Sequence, residues 1–166
     1  MDDGWYDCYV LVGSRSPELV NRFLDHFVPQ RQETADEYEV PQHSAKPEMV
    51  FRTAAALLQY LSDHPEHHHA VYWHALGKGD PTRAMVFPTS DGATIVGLSC
   101  RSDAETAERL LAEMKSFLHT DIGSFWFETP APTSSKEFIR RAKEEPAGAH
   151  LPHGGRVRGR PTSGCS

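Results

Sequence analysis

The chain predicts an α+β fold: a single, largely antiparallel sheet with three amphipathic helices, followed by a short C-terminal helix and a disordered tail. Three observations carry this. Ala84 to Thr89 and Ala93 to Cys100 are β-prone runs separated by Ser90-Asp91-Gly92, and Asp-Gly is a strong hairpin signal because Gly adopts positive φ without strain. A helix follows at once. Ser102-Asp103-Ala104-Glu105 has the Ser-x-x-Glu form of a capping box, and Ala107, Leu110, Leu111, Met114, Phe117 and Leu118 recur at helical spacing. Finally, the element order places a hairpin at the centre instead of alternating strand and helix throughout, which favours a mixed antiparallel architecture over a doubly wound one.

The other elements follow in order. Trp5 to Gly13 reads as a strand with Cys8, Val10 and Val12 on one side and Tyr9 and Leu11 on the other. Both faces are apolar, as in a central strand covered on both sides. Ser16 is placed to cap a helix whose first residue is Pro17. Leu19, Val20, Phe23, Leu24 and Phe27 form its buried stripe, and Pro29 ends it. Glu37 to Val40 reads as a short strand limited by Pro41. A second helix is expected after Pro47, with Val50, Ala54, Leu57, Leu58 and Leu61 on its apolar face, ending near Asp63-His64-Pro65. Ala70 to Leu76 is a strand that leads into the hairpin. Ser124 to Thr129 is the last strand, with Phe125 and Phe127 on one face and Trp126 and Glu128 on the other. Ser134-Ser135-Lys136-Glu137 is a second capping box, opening a helix that carries Phe138, Ile139 and Ala142.

This divides the chain into an α+β domain over residues 1–132, an appended helix over 133–145 and a disordered basic tail over 146–166, rich in Gly, Pro, Arg and Ser. No apolar run approaches the ~18 residues of a membrane helix, and Met1-Asp2-Asp3-Gly4 lacks the apolar region of a signal peptide. A cytoplasmic protein is expected. Cys8, Cys100 and Cys165 are too few and too far apart for a disulfide framework, and the first two, set in apolar strands, read as buried thiols. The charge is uneven. Residues 1–132 hold 10 Lys and Arg against 20 Asp and Glu, whereas residues 133–166 hold seven against three. An acidic body repels phosphate backbones and favours a basic protein partner over nucleic acid.

No motif names a chemistry. Gly13-Ser14-Arg15-Ser16 lacks both phosphate-loop patterns and is explained by N-capping. Gly97 to Ser99 lies on a strand and is no nucleophile elbow. The expectation is therefore a body without a cleft built for chemistry. Ten histidines are many, and His64, His67, His68, His69 and His74 crowd one helix-to-strand region. Were a metal held there, zinc or nickel on His67, His69 and His74 would be the set, though consecutive histidines cannot all point at one ion. Otherwise no cofactor is expected. For a binding surface the candidates are the acidic run Asp36, Glu37 and Glu39, with Tyr72, Trp126 and Glu128 on strands, because aromatic residues beside charge dominate interface hot spots. In the tail, Arg158-Gly159-Arg160-Pro161 resembles the centre of an AT-hook over four residues, with Val157 in place of the usual leading proline.

The span Met85 to Pro132 carries one family likeness. Phe-Pro-Thr-Ser-Asp-Gly-Ala-Thr-Ile-Val-Gly-Leu-Ser, an amphipathic helix and then Phe-Trp-Phe-Glu-Thr-Pro-Ala-Pro together resemble small bacterial immunity-type proteins of polymorphic toxin systems. The resemblance covers under a third of the chain and includes no catalytic motif. It implies a cytoplasmic binding protein that blocks a partner toxin. The acidic body, with no evident active site, adds the expectation of a non-catalytic protein whose target is basic, such as a nuclease surface. The alternative is a small metal-binding protein or enzyme using the His64–His74 loop.

Overall fold

The computed structural model describes residues 4–145 and 147. The chain runs β1 (Tyr6–Val12), α1 (Pro17–Phe27), β2 (Arg31–Glu33), β3 (Tyr38–Val40), β4 (Met49–Phe51), α2 (Ala54–Ser62), β5 (Val71–Ala75), β6 (Arg83–Pro88), β7 (Thr94–Cys100), α3 (Ala104–Leu118), β8 (Gly123–Phe127) and α4 (Ser135–Glu144). Six strands form one sheet in the order β2-β5-β6-β7-β1-β8. Each neighbouring pair is antiparallel. This is the α+β class read from the sequence. The tail predicted over 146–166, Ala147 apart, and the Arg158–Pro161 stretch with it, lie outside the described residues.

Strand alternation sorts the apolar side chains into two cores. On one face, Cys8 and Val10 of β1, Val86 of β6 and Val96 and Leu98 of β7 meet Phe23 and Leu24 of α1, Leu57 and Leu61 of α2, and Leu110 and Met114 of α3. These side chains are buried, and at ~1.5–3 kcal/mol each their burial is the main term opposing chain entropy. On the other face, Tyr9, Leu11, Ile95 and Trp126 pack against Phe138 of α4. Helix α4 covers only part of that face. The uncovered part positions the site described below.

The helix starts follow local chemistry, with two departures from expectation. Ser16 accepts from the Leu19 amide at 3.2 Å, and Ser134 accepts from the Glu137 amide at 3.2 Å, as their sequence patterns predict. The cap of α3, however, is Asp103, which accepts from Thr106 N at 2.7 Å. Ser102 is drawn off instead by Asp80, whose carboxylate accepts from the Ser102 hydroxyl and amide and from Arg101 N. The second departure is α2, which begins at Ala54 and not after Pro47. Val50 lies on β4 and is exposed. Residues 49–51 pair with 38–40 in a separate two-stranded sheet, and Glu33 Oε1 anchors the junction by accepting from Ala54 N at 2.6 Å and Tyr38 Oη at 2.8 Å. Three-residue strands are too short to show a period.

A second carboxylate holds α4 on the sheet. Asp91, in the hairpin turn before Gly92 (φ 86°), accepts from the Ser135 hydroxyl at 2.6 Å, from Ser135 N at 3.0 Å and from Lys136 N at 3.4 Å. These donors hold its carboxyl well below the usual carboxylate range. The turn thus serves twice, reversing the chain and capping a helix 44 residues on.

Candidate binding site on the open sheet face

The antiparallel register lines up one polar side chain from each of four strands. His74 on β5 faces Arg83 on β6, Arg83 faces Ser99 on β7, and Ser99 faces Asp7 on β1. The row ends at Trp126 on β8. All lie on the face that α4 covers in part. Ser99 Oγ donates to Asp7 Oδ1 at 2.7 Å, and Arg83 Nη2 stands 4.0 Å from the same oxygen. Asp7 is 4% exposed. Burial raises its pKa against the opposing effects of the Ser99 hydrogen bond and the Arg83 charge.

Beside this row runs a chain of aromatic rings. Trp126, Tyr9, Phe87 and Tyr72 follow one another at centroid separations of 5.9, 6.0 and 5.7 Å. The Trp126 end is roofed by Phe138 and by Arg141, whose guanidinium lies 4.9 Å from the indole centroid. The Tyr72 end is open. Tyr9 lies across Gly97, where a Cβ would meet its ring at 2.8 Å, and its hydroxyl donates to Thr129 O at 2.7 Å. That bond ties the segment after β8 to the edge of the hollow.

The result is a concavity of about 590 Å³ with Asp7, Tyr9 and Met85 among its floor residues and Trp5, Tyr72, His74, Arg83 and Glu128 around them. This hollow is assembled by the fold and has no counterpart among the sequence motifs. The pocket lies on the face of the sheet that α4 covers only in part. Arg83 is its central charge. Its Cζ lies 5.7 Å from the Trp5 ring and 5.6 Å from the Tyr72 ring, and Arg101 approaches the Trp5 ring at 5.4 Å. A smaller hollow shares Trp5, His74 and Arg83. Another, bounded by Glu37 and Glu39, adjoins through Thr34 and Tyr72.

The predicted binding residues thus divide. Tyr72 is half-buried and central to the open face, and Glu128 is exposed on the rim. Glu37 and Glu39 border the adjoining hollow, and Asp36 is exposed beside them. Trp126 does not belong with these: it is 1% exposed beneath α4 and cannot serve as an anchor. Asp7, Arg83 and Ser99 were missed by sequence reading. Their one signal was a polar residue inside an apolar strand for Asp7 and Ser99 and at the start of one for Arg83, and only the register joins positions 92 residues apart.

The alternative metal set is not brought together. His69 is buried and spends both ring nitrogens on backbone: Nε2 lies 2.9 Å from Glu39 O, and Nδ1 accepts from Ala70 N at 3.0 Å. Burial lowers its pKa, favouring the neutral ring. His67 lies 3.6 Å from Glu66, while His74 belongs to the sheet row. Among the described residues no group of three or more His, Cys, Asp or Glu is placed to hold a metal ion. The loop is instead organised by Arg15, whose guanidinium donates to the carbonyls of Leu61, His64, Pro65, His67 and Thr89. Cys8 and Cys100 are buried thiols with pKa values raised by burial.

Nucleophilic chemistry has little footing in the pocket. Ser99 is 1% exposed and hydrogen-bonded to a buried carboxylate, so an incoming carbonyl cannot reach its oxygen. Among the described residues no helix is long and apolar enough to cross a membrane. No protein-family model, curated protein or solved structure matches the chain.

Proposed function

We propose that this is a non-catalytic cytoplasmic binding protein of the immunity type, which holds a basic toxin or nuclease through the open part of the sheet face. One observation carries the reading: half-buried Trp5 and Tyr72 flank Arg83 in a preformed concavity. Aromatic and arginine side chains in a partly desolvated hollow are the usual anchors of protein interfaces. The acidic rim supports it. Asp36, Glu37, Glu39 and Glu128 lie on or beside the hollows that meet at Tyr72, and such a field speeds the approach of a basic partner. The aromatic chain beneath gives the face a rigid floor, so little order has to be created on binding.

Co-expression tests the reading. Each open reading frame beside this gene is induced in a heterologous host with and without this protein. The expected result is one growth-inhibiting basic product whose effect is relieved by the wild-type chain and not by a Tyr72→Ala, Glu128→Lys variant. Relief that is the same with both forms, or no growth-inhibiting neighbour at all, contradicts it.

A further inference from the structure

We infer that the Arg83 hollow is a carboxylate seat, filled by an acidic side chain of the protein partner presented next to an apolar or aromatic group. The inference deepens the reading of the open face as the contact surface and rests on it. Arg83 makes one long hydrogen bond, from Nε to Ser99 Oγ at 3.4 Å. Its two terminal nitrogens have no acceptor within hydrogen-bond distance among the described residues, and the nearest carboxylate oxygen is 4.0 Å away. A guanidinium in this state presents a free planar fork, the geometry that accepts a carboxylate through two parallel hydrogen bonds.

The surroundings favour an anion over a cation. Asp7 is buried, and its Oδ1 already takes the Ser99 hydroxyl and has Arg83 4.0 Å away, so part of its charge is compensated within the protein. Glu128 stays in water on the rim. Arg101 adds a second positive group beside Trp5. The rings of Trp5 and Tyr72 flank the guanidinium and supply apolar walls for the stem that carries the acid. An acidic side chain here is compatible with a basic partner. The acidic rim acts at long range on the partner's total charge, and the seat reads one group at contact.

The full chain, uniformly labelled with ¹⁵N, is titrated with benzoate, benzylamine, acetyl-Phe-Glu-amide and acetyl-Phe-Gln-amide, following the Trp5 indole and Arg83 Nε–H signals. Benzoate and the Glu peptide are expected to shift both signals saturably in the millimolar range, with the amine and the Gln peptide at least about tenfold weaker. Arg83→Gln is expected to abolish benzoate binding, and Arg83→Lys, which keeps the charge but loses the fork, to weaken it. Preferential binding of benzylamine, absence of a benzoate shift, or benzoate affinity unchanged in either Arg83 variant overturns the seat. Benzoate binding without the Glu peptide assigns the seat to a free small acid and overturns the partner's role in it. Failure of the titration leaves the growth-relief result with Tyr72→Ala, Glu128→Lys untouched, so the two readings fail separately.

Discussion

Arg83 and Asp7 stand 4.0 Å apart across strand β7, bridged by Ser99, which donates 2.7 Å to the carboxylate and receives Nε of the guanidinium at 3.4 Å. The spacing is too long for a direct hydrogen bond. Asp7 is therefore a buried acid with partial compensation, and its pKa is raised. A raised folded-state value means that the stability it contributes is complete below the unfolded value near 3.8 and is lost as pH rises through the folded one. At neutral pH the ionised form is a burden on the fold. Asp7→Asn keeps an oxygen for Ser99 and removes the charge. It is expected to melt a few degrees above the wild type at pH 7, with the gap closing as pH falls toward 3.8. Thermal melts across that range check this; a variant that melts lower at pH 7 contradicts it.

Asp91 carries the opposite sign. Its carboxyl is held low by Ser135, Thr89 and Lys136. Its contribution is present above the unfolded value near 3.8 and is lost as pH falls through the lower, folded one. The site is exposed, so solvent screening keeps the effect modest. Asp91→Ala is expected to cost about 1 kcal/mol at neutral pH, as for loss of a helix cap, and to loosen α4 first. Hydrogen exchange should show faster opening over residues 135–144, with β1 and β7 unchanged.

Arg15 ties the end of α2, the His-rich loop and the end of β6 together through five carbonyls. Hydrogen bonds from a charged donor contribute about 1.5–3 kcal/mol, and carbonyls left without a partner cost more where they are buried. Arg15→Met is expected to lower stability by roughly 2–3 kcal/mol and to raise exchange over residues 63–69. Arg15→Lys should recover little of this, because an ammonium cannot span five acceptors. Denaturant melts of the two variants decide it.

Gly97 is the point where Tyr9 crosses β7. A methyl group there would meet Tyr9 Cδ1 at 2.8 Å and Met85 Cε at 3.0 Å. The methionine end can yield, but the tyrosine is pinned by its bond to Thr129 O. Gly97→Ala is expected to cost about 1–3 kcal/mol by overpacking and to displace Tyr9 from the pocket floor. The measurement is the melting temperature together with the chemical shift of the Thr129 amide; an unchanged pair of values would show that the ring has room.

The legible parts of the sequence were those with a long period or a local rule. The stripe from Ala107 to Leu118 placed α3, and Asp91-Gly92 placed the hairpin. Alternation in β1 and β8 assigned each apolar side chain to its face. What escaped depended on partners distant in the chain. Ser102 lost its capping role to Asp80, and β2 and β4 are three residues long and defined only by the strands they meet. Trp126 lies on the face opposite Phe125, as alternation predicts, and α4 returns to bury it there. The site was the least legible of all. Asp7 reads as a blemish in an apolar strand until the register sets it opposite Ser99, and Ser99 opposite Arg83.

The most direct test of the open face as the contact surface is the affinity of the partner, once recovered through growth relief, for two variants of this chain. Tyr72→Ala alters the open face, and Arg109→Ala alters an exposed position on α3, the helix packed on the opposite side of the sheet. Calorimetry is expected to show at least about a tenfold loss, about 1.4 kcal/mol, for Tyr72→Ala and no change for Arg109→Ala. Loss of affinity with Arg109→Ala and none with Tyr72→Ala would place the partner on the helical side and contradict the account.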